Sequence, residues 1–253
     1  MSIYIDVLGS GSSGNCYLMT YDNTAIFVDA GTTKKNLSKV LNKVSDKKTY
    51  LFITHEHSDH IKGLKFFLQN IDLEIFCSYG TAKYLYKLEY DPDKIKVINS
   101  KTKYLFNSFS VLPFNTYHDG NETLAYRFSL NYGDITFLTD TGTIDKGILD
   151  AIDGTNALFL ESNYEEQMLL NGNYPLHLKK RILSSKGHLS NKEAIKTVHE
   201  IYGNRLKNIF LSHISEENNS YALVEKYSVY IEKNLKIETT FLKQKQTYNF
   251  KLF

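Results

Sequence analysis

One short stretch of the chain, three histidines and two acidic residues directly behind an apolar segment, constrains the fold more than any other. The apolar segment Tyr50–Ile53 predicts a buried strand, and "HEHSDH" occupies residues 55–60. Apolar residues at helical spacing from Ile61 to Ile71 predict a helix that begins inside the motif. Because such an alternation cannot put all its side chains on one face of a regular element, we expect the motif to lie in a strand-to-helix loop.

The residue types in this loop are those that bind transition metals. Imidazole and carboxylate ligands in this mixture suit Zn²⁺, Mn²⁺ or Fe²⁺. In a loop, His55 and His57 can face one ion while Asp59 and His60 face a second, roughly 3.5 Å away, as two-metal hydrolytic centres require. A solvated histidine-rich turn and a single structural metal are the alternative interpretations of the same residues.

Composition and charge place the chain among soluble globular proteins. Of its 253 residues, 42% are apolar and 23% charged, and the longest apolar runs fall far short of the roughly 18 to 20 residues of a membrane span. The first residues, "MSIYIDVLGSG", lack the basic region of a signal peptide, and neither Cys16 nor Cys77 belongs to a CxxC pair. We therefore expect a cytoplasmic protein without membrane contact. A net charge of +2 does not itself indicate nucleic acid binding, so any polyanion site must be local.

The order of predicted elements indicates two β-rich halves with outer helices. In the first half, alternation predicts strands at Ile3–Leu8, Tyr17–Thr20 and Ala25–Val28. The second half shows a similar pattern, with an apolar strand at Ala157–Leu160 followed by helices. Neither a Pro/Ser-rich linker nor a fixed repeat interrupts the chain. We expect one α/β domain over residues 1–253.

Four further polar residues stand at or just after the ends of apolar strands, in a fixed order around the histidine motif. They are Asp29 in "FVDAG", His118 in "TYHDG", Asp140 in "FLTDTG" and His213 in "FLSHIS". Together with "HEHSDH", this ordered set resembles the motifs of the metallo-β-lactamase superfamily. The resemblance implies a four-layer αββα sandwich and a hydrolase.

The same resemblance implies a ligand set for two divalent ions, zinc, manganese or iron. His55, His57 and His118 would bind one ion, Asp59, His60 and His213 the other, and Asp140 would bridge them. Asp59 would also take part in catalysis, and Asp29 would support the loop from behind the ligands. Two such ions would hold a bridging water as hydroxide near neutral pH, which is the nucleophile of the expected hydrolysis.

The stretch "GHLSN" at residues 187–191 predicts a helix start. Ser190 and Glu193 form an S-x-x-E capping box ahead of apolar residues at helical spacing. A phosphate is favoured at a helix N-terminus, and tRNA-maturing members of the superfamily carry a comparable His-x-Ser/Thr motif. His188 is therefore a candidate general acid or charge stabiliser, and Ser190 a candidate substrate contact. The alternative is that His188 only caps the helix.

Branches of the superfamily can be separated on the sequence. The bridging Asp140 favours phosphodiester, thioester and lactone hydrolases over true β-lactamases, and the interval to His213 is too short for the inserted domain of β-CASP nucleases. Longer stretches, "LGSGSSGNCYL", "ESNYEEQMLLNGNYPLHLKKRI" and "LSHISEENN", resemble the bacterial YycJ (WalJ) group, although Tyr164 stands where we expect a histidine.

That resemblance implies a 5'-3' exodeoxyribonuclease acting on DNA rather than RNA. Ser12 and Asn15 in the early glycine loop are further candidate substrate contacts. A small-molecule ester, thioester or lactone hydrolase of the glyoxalase II type is one alternative, and a metal-bearing binding protein with little catalysis is another.

Overall fold

The structure, a computed structural model, describes residues 2–203 and 205–253. The chain divides into two compact units, each built on one seven-stranded sheet. The first unit contains residues up to Thr102, 120–124 and 245–253, and the second contains 103–119 and 125–244. Whether they form one domain, as the sequence predicts, stays a prediction.

The sheet of the first unit is mixed. Its strands are β1 (Ile3–Gly9), β2 (Cys16–Tyr21), β3 (Thr24–Val28), β4 (Lys48–Phe52), β5 (Leu73–Cys77), β6 (Ile95–Val97) and β14 (Tyr248–Leu252). Their order is β14-β1-β2-β3-β4-β5-β6, with antiparallel pairing from β14 to β3 and parallel pairing from β3 to β6. The unit's helices are α1 (Lys34–Ser38), α2 (Leu41–Val44), α3 (Ser58–Ile61), α4 (Leu64–Asn70) and α5 (Tyr79–Lys87).

Burial of the parallel strands explains why they are almost continuously apolar. Every residue of β3 is buried, as expected where helices cover a sheet. Phe27 of β3 meets Phe67 of α4 edge to face, with ring centroids 4.9 Å apart. This packing fixes α4, and with it the preceding histidine loop, against the sheet.

The second unit has a sheet of similar design. Its strands are β7 (Tyr104–Leu105), β8 (Phe109–Asn115), β9 (Leu124–Leu130), β10 (Gly133–Leu138), β11 (Ala157–Glu161), β12 (Asn208–Ser212) and β13 (Glu238–Phe241), in the order β13-β12-β11-β10-β9-β8-β7. Its helices are α6 (Lys146–Ile152), α7 (Glu166–Asn171), α8 (Leu176–Ile182), α9 (Asn191–Glu200) and α10 (Tyr221–Leu235). Strands β10 to β13 are parallel.

Parallel register brings the strand ends that carry the polar residues to one edge of each sheet. In the second unit, Leu138, Leu160 and Leu211 stand side by side on β10, β11 and β12. The residues that follow them therefore emerge together, as expected at the carboxyl ends of parallel strands. Val28 and Phe52 are paired in the same way in the first unit.

None of the helices in the described part of the chain is long and apolar enough to span a bilayer.

Candidate metal centre

In the first unit, Asp29 anchors the histidine loop. Its buried carboxylate accepts hydrogen bonds from the backbone N–H of Thr54 at 2.8 Å and from the Thr54 hydroxyl at 3.0 Å. The other carboxylate oxygen lies 2.7 Å from Nδ1 of His60. Burial raises the pKa of Asp29, and the contact with His60 opposes this shift. A ring held through Nδ1 presents Nε2 as its ligand nitrogen, so Asp29 is placed as a metal site requires.

The four candidate ligands of this loop lie close together. The rings of His55 and His57 are 4.5 Å apart between centroids, and those of His55 and His60 are 4.0 Å apart. Oδ2 of Asp59 lies 3.4 Å from Nε2 of His60. The helix α3 starts directly after His57, which lets the loop turn these side chains toward one another. Imidazole nitrogens and a carboxylate at this spacing form a donor set that suits a divalent transition metal.

Asn15 and Ser12 differ in their surroundings. Asn15 is fully buried, and its amide nitrogen lies 3.3 Å from Asp59 Oδ2 and 3.1 Å from His60 Nε2. Its side-chain oxygen accepts the backbone N–H of Gly11 at 2.9 Å. Asn15 thus orients two candidate ligands, whereas Ser12 is exposed on the same loop. Substrate contact by either residue stays a prediction.

In the second unit, a buried cluster forms at the strand ends. Asp140, Glu161, His188 and His213 each offer one ligand atom, and these atoms all lie within 4.8 Å of one another. Oδ1 of Asp140 lies 3.4 Å from His213 Nε2 and 3.7 Å from His188 Nδ1. The sequence predicts three of these four residues as members of the site.

Glu161 is the fourth member, and the sequence analysis missed it. It ends β11 and is fully buried, and its Oε1 lies 2.7 Å from His188 Nδ1 and 3.0 Å from His213 Nδ1. Its Oε2 accepts the backbone N–H of Thr141 at 2.9 Å. The available signal was an acid at the end of an apolar strand, the same pattern that marks Asp29.

His118 is held in the neutral form that a ligand needs. Burial lowers its pKa, and this outweighs the opposing effect of nearby Asp140. Its Nδ1 donates to the carbonyl oxygen of Gly187 at 2.9 Å. This contact leaves Nε2 with its lone pair, 3.8 Å from Asp140 Oδ1.

Three of the candidate residues adopt a backbone conformation that residues other than glycine rarely use. Asp29, Asp140 and His213 have φ angles of 61°, 57° and 54°. Each lies in the left-handed region, one or two residues after the end of a buried strand. Conformations of this kind persist where the surroundings enforce them, and they concentrate at functional sites.

His188 and Ser190 lie at the start of α9 in different roles. The Ser190 hydroxyl accepts the backbone N–H of Glu193 at 3.1 Å and so caps the helix. His188 does not cap the helix; its Nδ1 contacts Glu161, and 15% of its side chain is exposed.

Tyr164, which stands where the family resemblance predicts a histidine, is buried in a small apolar cluster with Leu169, and burial raises its pKa to about 12. It therefore remains a neutral phenol at physiological pH.

Comparison with known proteins agrees with this architecture. Residues 24–214 match the β-lactamase superfamily domain. Exodeoxyribonuclease WalJ of Streptococcus pneumoniae (strain D39) is 33% identical over 222 residues, which cover 84% of this chain and 82% of the relative. Exodeoxyribonuclease YycJ of Bacillus anthracis is 32% identical over 224 residues, covering 87% and 85%.

A solved structure is similar over nearly the whole length. The metallo-β-lactamase fold protein YhfI of Bacillus subtilis aligns with a TM-score of 0.74 over 98% of this chain and 99% of that protein, at 16% identity. At that identity the likeness concerns the fold alone. The α/β metallo-β-lactamase fold that the sequence predicts is confirmed.

Proposed function

Since this chain belongs to the metallo-β-lactamase superfamily and is a hydrolase of that class, we propose that it is a metal-dependent exonuclease that degrades DNA from an end. Two relatives at about one-third identity are named exodeoxyribonucleases, and each is covered over most of its length. Both names support DNA as the substrate in preference to RNA. We assign digestion in the 5'-3' direction as part of the proposal.

The proposed ligand set is the one that the superfamily motifs imply. His55, His57 and His118 would hold one ion, Asp59, His60 and His213 would hold the other, and Asp140 would bridge them. The donor chemistry of both buried clusters fits zinc, manganese or iron. Such ions, when bound, lower the pKa of a water molecule and polarise a phosphoryl oxygen.

The contact between His188 and Glu161 is the observation that carries the phosphodiesterase assignment. An alkoxide that leaves a phosphodiester needs a proton, and a histidine beside a buried carboxylate can hold one. Nδ1 of His188 is engaged with Glu161 at 2.7 Å, so Nε2 is the atom that donates. Glu161 keeps the His188 ring oriented. Asp59, which is less buried than Asp140, accepts a proton from the attacking water.

Ser12, Asn15 and Ser190 remain candidate substrate contacts within this proposal. We also propose the cytoplasm as the compartment, because both Cys16 and Cys77 are free and buried, as in proteins of reducing compartments.

The proposal is tested with purified protein of known metal content. DNA and RNA, single- and double-stranded, carry a label at the 5' or the 3' end and are incubated with zinc, manganese or iron. We expect DNA to be shortened progressively from its 5' end in the presence of a metal. Absence of cleavage under every condition would reject the nuclease, and turnover of esters or thioesters alone would make the protein a small-molecule hydrolase.

Three variants test the residues. Asp140→Ala and His57→Ala should lose metal and nearly all cleavage, and His188→Ala should keep its metal but cleave about a hundredfold more slowly or worse. His199→Ala, an exposed histidine of α9, serves as the matched control and should behave as the wild type. Cleavage that survives Asp140→Ala would show that the assigned centre is wrong.

A further inference from the structure

A cavity of about 620 Å³ lies in the first unit beside the histidine loop, and all its charged lining residues are lysines. Lys34, Lys62 and Lys65 are exposed, and Phe66 and Gln69 complete much of the wall. We call this cavity the lysine groove. Its lining carries three positive charges and no carboxylate, so the groove attracts anions.

A cavity of similar size in the same unit shows that lysines alone do not make such a site. It measures about 600 Å³ and is lined by Lys47 and Lys48, but also by Asp72 and Glu74. Those acids offset the lysine charges. Because the whole chain carries a net charge of only +2, an anion-binding surface must arise from local segregation of charge, which the lysine groove provides.

Backbone hydrogen bonds tie the lysine groove to the histidine loop. The N–H of Ala30 donates to the carbonyl of His60 at 2.7 Å, and the N–H of Gly63 donates to the carbonyl of Ala30 at 2.9 Å. A Cβ atom on Gly63 would lie 2.6 Å from the Ala30 oxygen and 2.7 Å from that of Thr32, so the two segments touch backbone to backbone. The groove is therefore held in a fixed position beside the candidate ligands.

Two of the three lysines are positioned in advance. The Lys34 ammonium lies 5.5 Å from the centroid of the half-buried Phe66 ring, a cation-π contact that keeps the charge over the groove. Lys62 is two residues beyond His60, and its ammonium donates to the carbonyl of Ser13 in the early glycine loop. Side chains ordered in this way lose less conformational entropy when they bind a ligand.

We propose that the lysine groove binds the phosphodiester backbone of the substrate strand next to the bond that is cut. This inference rests on the proposed nuclease function and adds the path of the strand. A nucleic acid strand presents phosphates in series, so it can engage several lysines at once. Lysine contacts with phosphates fix the position of a strand without reading its sequence, which is what a general exonuclease requires.

The test is the salt dependence of binding to a fluorescent oligothymidylate, measured with the whole chain of residues 1–253 in EDTA so that no cleavage occurs. Each lysine-phosphate contact contributes about 0.7 to the slope of log affinity against log salt for a single strand. Lys34→Ala/Lys65→Ala should therefore reduce the slope by about 1.4 and weaken binding at low salt roughly tenfold. Lys34→Arg/Lys65→Arg should restore most of the binding.

The matched control is Lys226→Ala/Lys233→Ala, which removes the same charge from exposed positions on α10 and should leave the slope unchanged. Metal content before EDTA is added, together with thermal unfolding, verifies that each variant is folded.

Two results would overturn the inference. One is an unchanged affinity and slope for the alanine pair. The other is competition by polyglutamate as effective as that by unlabelled oligothymidylate, which would make the groove a site for acidic peptides. The proposed function is judged separately, from cleavage of labelled DNA by the wild type with metal. Loss of binding in the alanine pair without any cleavage by the wild type would keep the groove and reject the nuclease.

Discussion

At the scale of single residues, Glu161 organises the polar cluster of the second unit. Its carboxylate is fully buried yet accepts backbone N–H groups from Thr141 and Leu189 and contacts two histidines. Burial raises its pKa, but His188 and His213 more than offset that effect, so the pKa of Glu161 lies below its usual value of 4.5. The ionised form is thus stabilised by folding. Its contribution is present above about pH 4.5 and is lost as the pH falls through the lower, folded-state pKa.

Glu161→Gln should lower the free energy of unfolding by about 3 kcal/mol at pH 7, because an amide cannot accept all four donors and leaves buried groups uncompensated. Urea unfolding in EDTA, at pH 7 and in the acid range, measures the effect. The deficit should shrink in acid, where the wild-type carboxylate also loses its charge. Glu166→Gln, at an exposed acid of α7, is the control, and equal stability of the two variants at pH 7 would contradict the assignment.

The candidate ligands could be predicted from the sequence where they occur in a short motif or in an ordered set of strand ends. Glu161 ends a strand in the same way, but its partners His188 and His213 are 27 and 52 residues away. The parallel register of β11 and β12 brings His213 to Glu161, and spacing along the chain contains no information about that register. The positive φ angles of Asp140 and His213 could not be predicted from the sequence either, because neither aspartate nor histidine usually adopts them.

At the scale of elements, the end of α10 illustrates a local conflict between residue and backbone. Lys236 terminates the helix with φ 58° and ψ 34°, a left-handed conformation that glycine adopts at no steric cost. Lys236→Gly should therefore stabilise the protein by about 0.5 to 1 kcal/mol.

Lys233→Gly, three residues earlier and within the same helix, provides the opposite case and should destabilise by about 1 kcal/mol. Thermal unfolding of the two variants beside the wild type gives both values. A decrease in stability for Lys236→Gly would mean that contacts of the lysine side chain stabilise the protein by more than its left-handed backbone conformation destabilises it.

Helix continuity was the least predictable property of the elements. Apolar spacing predicts one helix from Leu37 to Val44, where the structure has α1 and α2, and one from Ile61 to Ile71, where α3 and α4 are separate. The second break falls at Lys62 and Gly63, where the Gly63 N–H bonds to Ala30. A tertiary contact accompanies the second break, and local hydrogen bonds of Lys39 to Asn36 and of Val40 to Leu37 accompany the first, whereas periodicity reports only which face is buried.

At the scale of the whole molecule, the two cysteines, Cys16 and Cys77, are both buried in the first unit. Burial raises the pKa of Cys77 to about 12, with Glu122 and Glu56 adding to the shift, and burial also raises that of Cys16. Both thiols should resist a thiol-specific disulfide reagent at pH 8 and react fully after denaturation, because the thiolate is the reactive form. Rapid reaction of either thiol in the native protein would indicate local opening of the core around it.

The first sheet also depends on the pairing of chain segments far apart in sequence. β14 pairs with β1 in antiparallel register, Ile3 opposite Leu252 and Val7 opposite Tyr248. Deletion of residues 245–253 should expose the edge of β1, lower the thermal midpoint of unfolding and promote aggregation, measured by light scattering during heating. Removal of the exposed Phe253 alone is the control and should change neither.

The pairing of β1 with β14 also sets a timetable for biosynthesis. Strand β1 leaves the ribosome before β14, because roughly 240 to 250 residues separate the paired positions of the two strands. At a synthesis rate of about 5 to 20 residues per second, the edge of β1 stays unpaired for tens of seconds before β14 is made. During that interval the nascent chain presents an open strand edge, which is available for pairing with other chains.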